Sequence, residues 1–101
     1  MKDILEQLKA HKIFENRVRL SIMSLLMVND WVDFRTLKES LNITDGQLAS
    51  NIKALEKKSY IKIRKQFIAR KPNTSYTATV AGRAAFNDYL NVLEAFFKLK
   101  D

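Results

Sequence analysis

The sequence predicts an α+β fold that is mostly helical, and three observations support this prediction. Apolar residues recur at helical spacing through most of the 101 residues, residues 60–68 alternate apolar and polar side chains, and turn-forming residues follow directly. Only 2 Gly and 1 Pro interrupt the pattern, while 47% of the residues are hydrophobic. We therefore expect one compact domain covering residues 1–101.

The N-terminal third of the chain predicts two helices. MKDILEQLKAHK is a short amphipathic helix whose apolar residues are Ile4, Leu5 and Leu8. The segment ENRVRLSIMSLLMVND is a longer helix that is apolar nearly all round, so we expect it to be buried on two sides. Its inner stripe consists of Val18, Ile22 and Leu25. The opposite stripe consists of Leu20, Met23 and Met27.

A third helix, FRTLKESL, follows the short extended segment WVDF. Asp33 is a suitable N-cap for this helix, because its carboxylate can accept the unpaired amides of the first turn. Asn42 tolerates the left-handed conformation that ends many helices. Leu37 and Leu41 are predicted to point inward.

The segment TDGQLASNIKALEKKSYI, residues 44–61, predicts a fourth helix with a well-specified start. Thr44 and Gln47 have the spacing of a capping box, in which each side chain satisfies the other residue's amide. Leu48, Ile52 and Leu55 form its buried stripe. The opposite face is small at its start and cationic at its end.

The C-terminal part predicts a β-hairpin and a last helix. YIKIRKQFI has the period of a strand, a turn is expected at Pro72 and Asn73, and SYTATV is the returning strand. Thr79 is the expected N-cap of a helix covering residues 80–101. A helix, a short turn, a capped helix and a basic-tipped hairpin, in this order, predict a winged helix-turn-helix.

Basic residues are concentrated in one block of the sequence. Residues 44–71 contain 8 basic and 2 acidic side chains. By contrast, residues 1–43 contain 7 basic and 6 acidic side chains, and residues 72–101 contain 3 of each. The formal net charge of +7 therefore comes almost entirely from the block that includes the fourth helix and the hairpin. This distribution favours a polyanion such as nucleic acid as the partner.

Missing residue types exclude several classes of function. The chain has no cysteine and a single histidine, His11, so zinc sites and histidine-based catalysis lack their components. We expect His11 to be structural or solvated. Without a Gly-rich phosphate loop or a nucleophile beside a base, we predict a protein that is not an enzyme and needs no cofactor. Neither a membrane span nor a secretory signal is visible, so a cytoplasmic location is expected.

The stretch from Asn16 to about Leu93 resembles the small winged helix-turn-helix transcriptional regulators related to the MarR group. FRTLKESLNITDGQLASNIKALEKKSYI matches their positioning helix, turn and recognition helix, and SYTATVAGRAAF matches their Thr-x-x-Gly-Arg entry to the C-terminal helix. The chain is shorter than the larger MarR regulators and has ARKPNTS where they have an Asp-x-Arg wing motif. The closer resemblance is to compact members with a basic, Lys-Pro wing. It implies a double-stranded-DNA-binding regulator.

The outward face of the fourth helix supplies the candidates for contacting a major groove. Gly46 would permit close approach, and Gln47 would read a base unless the capping box occupies it. Ser50 would read a base or bind a phosphate, and Asn51 would reach adenine or the backbone. Lysines bind phosphate more readily than they discriminate bases. The remaining candidates for DNA contact are Thr44, Lys53 and Lys57 on this helix, Arg35 and Lys38 on the third helix, and Arg64, Lys65, Arg70 and Lys71 in the hairpin.

Within the hairpin, Arg70 is the candidate for a narrow minor groove and Lys71 for the DNA backbone.

The terminal helix carries two adjoining apolar stripes, and a domain this small cannot bury both. We therefore predict a homodimer whose two recognition helices meet successive major grooves about 34 Å apart. The predicted interface consists of Ile4, Leu5, Leu8, Tyr89, Val92, Leu93, Phe96 and Phe97.

Two alternatives stay open at this point. A winged helix can also serve as an adaptor that binds protein or RNA, and salt dependence on duplex DNA with preference for one operator would separate these classes. Met23, Met27 and the aromatic residues of the last helix are either an ordinary core or the lining of a small-molecule effector site between subunits.

Overall fold

The structure, a computed structural model, describes residues 3–99. Within that range the chain forms five α-helices, one 3₁₀ turn at Lys12–Phe14 and a three-stranded antiparallel sheet, which confirms the predicted α+β fold. The elements are α1 (Ile4–Ala10), α2 (Arg17–Val28), β1 (Val32–Asp33), α3 (Phe34–Leu41), α4 (Asp45–Lys57), β2 (Ile61–Ile68), β3 (Lys71–Ala78) and α5 (Val80–Leu99). The predicted extensions of the first and last helices through residues 1–2 and 100–101 lie outside the described residues.

Local sequence signals place the ends of the helices as predicted. The Asp33 carboxylate accepts the amide of Thr36 at 2.7 Å and caps α3. Asn42 ends α3 in the left-handed conformation, with φ 53° and ψ 52°. The Thr79 hydroxyl accepts the amide of Gly82 at 3.0 Å and caps α5. The turns between α2, α3 and α4 are short because each helix has its own stop and start signal.

The core is centred on α2, which is buried on two sides as expected. Ile22, Met23 and Leu26 are fully inaccessible to solvent, and α2 contacts α3, α4, α5 and β3. Leu26, which the prediction assigned to neither stripe, also points inward, while Leu25 is half-buried and packs against the core. An all-round apolar helix does not reveal its rotation, since either choice keeps helical spacing.

The sheet has the strand order β1-β3-β2, and β2 and β3 form the predicted hairpin. Its register runs from the pair Ile61 and Ala78 to the pair Ile68 and Lys71. The turn is not at Pro72 and Asn73, as predicted, but at Ala69 and Arg70, whose φ angles are 50° and 66°. Two consecutive positive φ angles are those of a two-residue type I′ turn, which matches the strand twist.

Long-range contacts attach the terminal elements to this core. His11, at the end of α1, has its Nε2 2.6 Å from Oδ2 of Asp88 in α5, and its ring stacks on buried Phe14. The guanidinium of Arg83 donates to the carbonyl oxygens of Leu26 and Met27, both at 3.2 Å, and thereby satisfies the end of α2. In the described part of the chain, we find no helix with the length and apolar content to cross a membrane.

Candidate nucleic-acid interface

The start of α4 is fixed by the predicted capping box. The Thr44 hydroxyl accepts the backbone amide of Gln47 at 3.1 Å, and the Gln47 side-chain oxygen accepts the backbone amide of Thr44 at 3.1 Å. The same oxygen also accepts the Thr44 hydroxyl at 3.3 Å. The first turn of α4 is therefore held rigidly before any partner binds.

The two faces of α4 are separated as the sequence predicted. Leu48, Ile52 and Leu55 are at most 3% exposed. A Cβ built at Gly46 meets no atom within 4 Å, so this surface is open to close approach. The face that points to solvent is formed by Gly46, Gln47, Ser50, Lys53 and Lys57.

The capping box determines which atoms of Gln47 can reach a partner. Because the backbone amide of Thr44 is a donor, the Gln47 atom that it contacts must be the oxygen Oε1. The exposed Nε2 group keeps its two donor hydrogens. Gln47 thus keeps free donors while it completes the cap, and its contact with a base stays a prediction. Ser50 makes only a 3.4 Å contact to the carbonyl oxygen of Gln47, and its hydroxyl can rotate toward a partner.

Asn51 differs from its predicted neighbours, because it is half-buried and tied to the protein. Its oxygen accepts Nη1 of Arg19 at 2.9 Å, and its amino group donates to the carbonyl oxygen of Gln47 at 2.8 Å. Arg19 also donates to the carbonyl oxygen of Ile13 at 2.6 Å. These bonds link α4 to α2 and to the segment after α1.

The two basic residues of α3 have acidic partners. Nζ of Lys38 lies 2.8 Å from Asp45, in the first turn of α4, so it neutralises the one carboxylate near that end of the helix. Arg35 pairs with Glu39 at 2.9 Å, and the side chains are 88% and 66% exposed. Such exposed pairs are worth about 0.2–1 kcal/mol, so the Arg35 guanidinium can exchange this partner for a phosphate.

The four predicted cations of the hairpin, which we call the wing (residues 61–78), fall into two groups. Arg64 lies near the base, with its guanidinium carbon 4.2 Å from the ring centroid of Trp31. That stacking fixes its orientation. Lys65, Arg70 and Lys71 are exposed farther along, and Arg70 occupies the turn itself. The structure thus brings Arg70 and Lys71 to the tip of the wing and leaves Lys65 exposed midway along β2.

A cleft of about 480 Å³ separates the start of α3 from the outer part of the wing. Arg35 lines one side and Lys71 lies on the opposite side, with Asp33 between them in the lining. The backbone amide of Thr36, followed by its hydroxyl, holds the pKa of the Asp33 carboxyl below its usual range. Asp33 therefore stays ionised while it caps α3, and the flanking cations give the cleft positive charge.

The predicted dimer residues lie at different depths. Tyr89 and Val92 are 6% and 7% exposed, so they are already buried within the chain. Leu5 and Phe97 are 56% and 62% exposed, and Leu90 of the adjoining stripe is 43% exposed. The other four predicted residues are half-buried, namely Ile4, Leu8, Leu93 and Phe96.

Comparison with known proteins places these features in a family. A family model described as a winged helix DNA-binding domain matches residues 18–97. The chain belongs to this winged helix family. An uncharacterized protein of Methanocaldococcus jannaschii is 38% identical over 79 residues, which cover 78% of this chain and 86% of that protein. The family-model match, together with the Pyrococcus horikoshii structure described next, confirms the resemblance to small winged helix-turn-helix regulators.

Two solved structures share the winged helix fold. A transcriptional regulator homologue from Pyrococcus horikoshii superposes with a TM-score of 0.90 at 30% identity, and the match covers 99% of both chains. Bacillus subtilis PadR, in complex with operator DNA, has a TM-score of 0.66 at 17% identity, covering 85% of this chain and 62% of that one. The second likeness shows the fold alone. The narrower assignment to the MarR group stays a prediction.

Sequence reasoning missed two features of this winged helix surface. Trp31, which holds Arg64, was assigned only to an extended segment, and no local pattern links residues 33 positions apart. Phe67 was counted as part of the strand alternation, yet its side chain is 75% exposed, and neighbouring Ile68 is 52% exposed. The length of the predicted hairpin could have indicated this exposure. Its outer residues lie too far from the core for the rest of the domain to cover them.

Proposed function

We propose that this winged helix protein is a dimeric, sequence-specific, double-stranded-DNA-binding transcriptional regulator. The observation that carries the proposal is the exposed face of α4, which is small and polar at Gly46 and cationic at Lys53 and Lys57. A helix enters a major groove only when its leading face is this small, and the capping box fixes that face in advance. The concentration of positive charge in residues 44–71 supports the same partner.

Different residues of α4 carry different parts of the recognition. Nε2 of Gln47 donates to an acceptor on a base edge, and the Ser50 hydroxyl contacts a neighbouring base or phosphate. Because Oε1 of Gln47 is held by Thr44, the bidentate pairing of glutamine with adenine is disfavoured. A lone donor can bond to guanine, adenine or thymine, which each expose an acceptor, but not to cytosine, whose exposed major-groove group is itself a donor. Lys53, Lys57 and the amides after Thr44 bind phosphates.

The wing and α3 contact the DNA beside the groove that α4 occupies. Arg70 enters the adjacent minor groove and Lys71 binds the backbone, with Arg35 on the other side of the cleft. Lys38, Arg64 and Asn51 act mainly by fixing Asp45, Trp31 and Arg19, so they position the contacting residues. Lys65 remains available for a further phosphate contact.

The proposed dimer uses the outer surface of α1 and α5. Leu5, Leu90 and Phe97 are large exposed apolar residues on two helices that pack against each other. A second copy would cover this surface and hold two α4 helices for successive major grooves. An effector, if this regulator has one, would bind between subunits rather than beside Met23, which is fully buried in the core.

Selection of bound sites from a random duplex library, followed by binding measurements across salt concentrations, tests this proposal. We expect one preferred, two-fold symmetric sequence and a steep linear fall of log affinity with log salt. Binding to single-stranded RNA or to a protein without duplex preference would favour the adaptor alternative. The proposal includes no catalytic activity, and it places the protein in the cytoplasm, beside the DNA it regulates.

A further inference from the structure

The outer part of the wing is a narrow, two-stranded blade that projects from the domain. Along β2 the buried residues end at Ile61 and half-buried Ile63, and residues 64–68 are all exposed. On β3 only Lys71 and Pro72 are exposed, so both strands are exposed together over the last two residue pairs, about 7 Å of strand at about 3.3 Å per residue. The two-residue turn at Ala69 and Arg70 keeps the end of the blade tight.

Each face of this blade carries one large apolar side chain of β2 at its end. Phe67 pairs with Pro72 across the strands, and Ile68 pairs with Lys71 in the next position. Successive residues of a strand point to opposite faces, so Phe67 and Ile68 lie on different sides. They are 75% and 52% exposed, although they are among the largest apolar side chains of the chain. A tip built for phosphate contact alone would not need them.

The charge around the blade indicates what covers these side chains. No carboxylate side chain occurs in the sequence between Glu56 and Asp88, while Lys65, Arg70 and Lys71 surround Phe67 and Ile68. A second copy of the wing would meet like charges, which opposes contact between two tips. The minor groove of DNA offers the complementary combination, because its sugar walls are largely apolar and its two rims carry phosphates.

We propose that the wing acts as an apolar wedge, with Phe67 entering the minor groove and partly opening one base step. This inference rests on the proposed DNA-binding function. It adds recognition of the DNA sequence through its flexibility rather than through hydrogen bonds to bases. Ile68 contacts the sugar wall on the opposite side of the blade, Arg70 enters the groove beside Phe67, and Lys65 and Lys71 bind the phosphates of the rims. The minor groove is only about 6 Å wide, so a two-stranded tip with side chains on both faces has to widen it.

Widening of this kind makes the site sensitive to DNA flexibility. Apolar wedges in the minor groove unstack base steps and bend the duplex by about 20–90° toward the major groove. Pyrimidine–purine steps such as TA and CA/TG open most easily. We therefore expect a preference for such a step in the flank beside the α4 contacts, at a position where no hydrogen bond reads the bases.

The test uses the full chain and the duplex that the wild-type protein selects from random DNA. 2-Aminopurine is placed at successive positions of the flank to report unstacking, and dyes on the two DNA ends report bending. The variants are Phe67→Ala, Phe67→Leu and Ile68→Ala. Val28→Ala is the matched control, because Val28 is 79% exposed and lies at the end of α2, outside the proposed DNA and dimer surfaces.

For Phe67→Ala we expect about tenfold weaker binding, the size of the effect when one aromatic side chain no longer stacks on a base. The 2-aminopurine signal and the bend should also decrease. The slope of log affinity against log salt should stay at the wild-type value, because every phosphate-binding cation is still present. Phe67→Leu should keep most of the bend, since leucine also serves as a wedge. Ile68→Ala should reduce the affinity in part. The control Val28→Ala should bind and bend DNA as wild type does.

Three results would overturn the wedge while leaving the proposed function intact. Phe67→Ala could bind, bend and unstack the duplex as wild type does, which would place the tip outside the groove. It could become monomeric, which would assign the tip to a subunit contact. It could bind the duplex normally but lose affinity for vesicles of anionic phospholipid, which would assign the tip to a membrane surface. If wild-type protein selects no duplex at all, both proposals fail together.

Discussion

Gly82 of α5 packs directly against the backbone of Tyr60, so that a Cβ added to Gly82 would overlap the Tyr60 carbonyl oxygen. The same Cβ would lie 2.9 Å from the carbonyl carbon and from the Cα of Tyr60. That carbonyl oxygen also accepts the amide of Thr79, so the segment between α4 and β2 meets the start of α5 at this point. Backbone atoms cannot move aside as a flexible side chain can.

Gly82→Ala should therefore destabilise the fold. Overpacking of this kind costs about 1–3 kcal/mol, and here the overlap is with backbone on both sides of the contact. The free energy of unfolding, measured by urea denaturation followed by circular dichroism, checks the prediction. An unchanged midpoint of unfolding would show that α5 does not approach Tyr60 this closely.

Gly46→Ala should have the opposite effect on stability. Its Cβ meets no atom of the protein, and alanine is favoured over glycine in helices by about 0.5–1 kcal/mol. If Gly46 faces a base pair, the added methyl group should nevertheless weaken operator binding, because it displaces neighbouring contacts worth about 1–3 kcal/mol. Melting temperature and operator affinity are measured on the same preparation. A variant that is as stable as wild type and binds as tightly would remove Gly46 from the interface.

Phe97→Glu should separate the proposed dimer into folded monomers. The side chain is 62% exposed in the single chain, so the charge disturbs an interface without disturbing the core. Sedimentation at micromolar concentration measures the mass, and circular dichroism verifies the helix content. Val28→Glu, at an exposed apolar position outside the interface, is the control. Wild-type protein that sediments as a monomer would contradict the dimer itself.

The double variant Arg70→Ala, Lys71→Ala should weaken operator and nonspecific binding by similar factors. Both side chains lie at the tip of the wing and are proposed to contact phosphate or groove rather than discriminate bases strongly. The slope of log affinity against log salt should become shallower by about 0.9 for each phosphate that the variant no longer neutralises. Equal slopes for the variant and wild type would mean that the wing points away from DNA.

Local signals in the sequence were sufficient to predict the helices and the N-caps of α3, α4 and α5, whereas Asp3 and Asn16, which cap α1 and α2, were not predicted. Asp33, Asn42 and Thr44 act through atoms within three or four residues, so their roles follow from spacing alone. The turn of the wing was misplaced because Pro72 and Asn73 are strong turn formers. Pairing of Ile61 and Ile63 with the core strand β3 fixes the register instead, and leaves Ala69 and Arg70 at the turn.

The sequence was sufficient to predict which face of α4 carries the candidate site, but not which other residues its side chains contact. Helical spacing alone assigns Gln47, Ser50, Lys53 and Lys57 to one exposed surface of α4. It does not reveal that Asn51 is held by Arg19, which lies 32 residues away in the sequence. The exposure of Phe67 also depends on how far the core extends, and a strand pattern carries no such information.

Base preference at every operator position, measured for wild type, Gln47→Ala and Ser50→Ala, tests the assignment of α4 as the recognition helix. Gln47→Ala removes part of the capping box and can cost about 1 kcal/mol of stability, so a thermal melt accompanies each protein. We predict that wild type rejects cytosine at one position, that Gln47→Ala loses this rejection while other positions keep theirs, and that Ser50→Ala changes a neighbouring position. If both folded variants keep the wild-type profile at every position, α4 does not read the major groove.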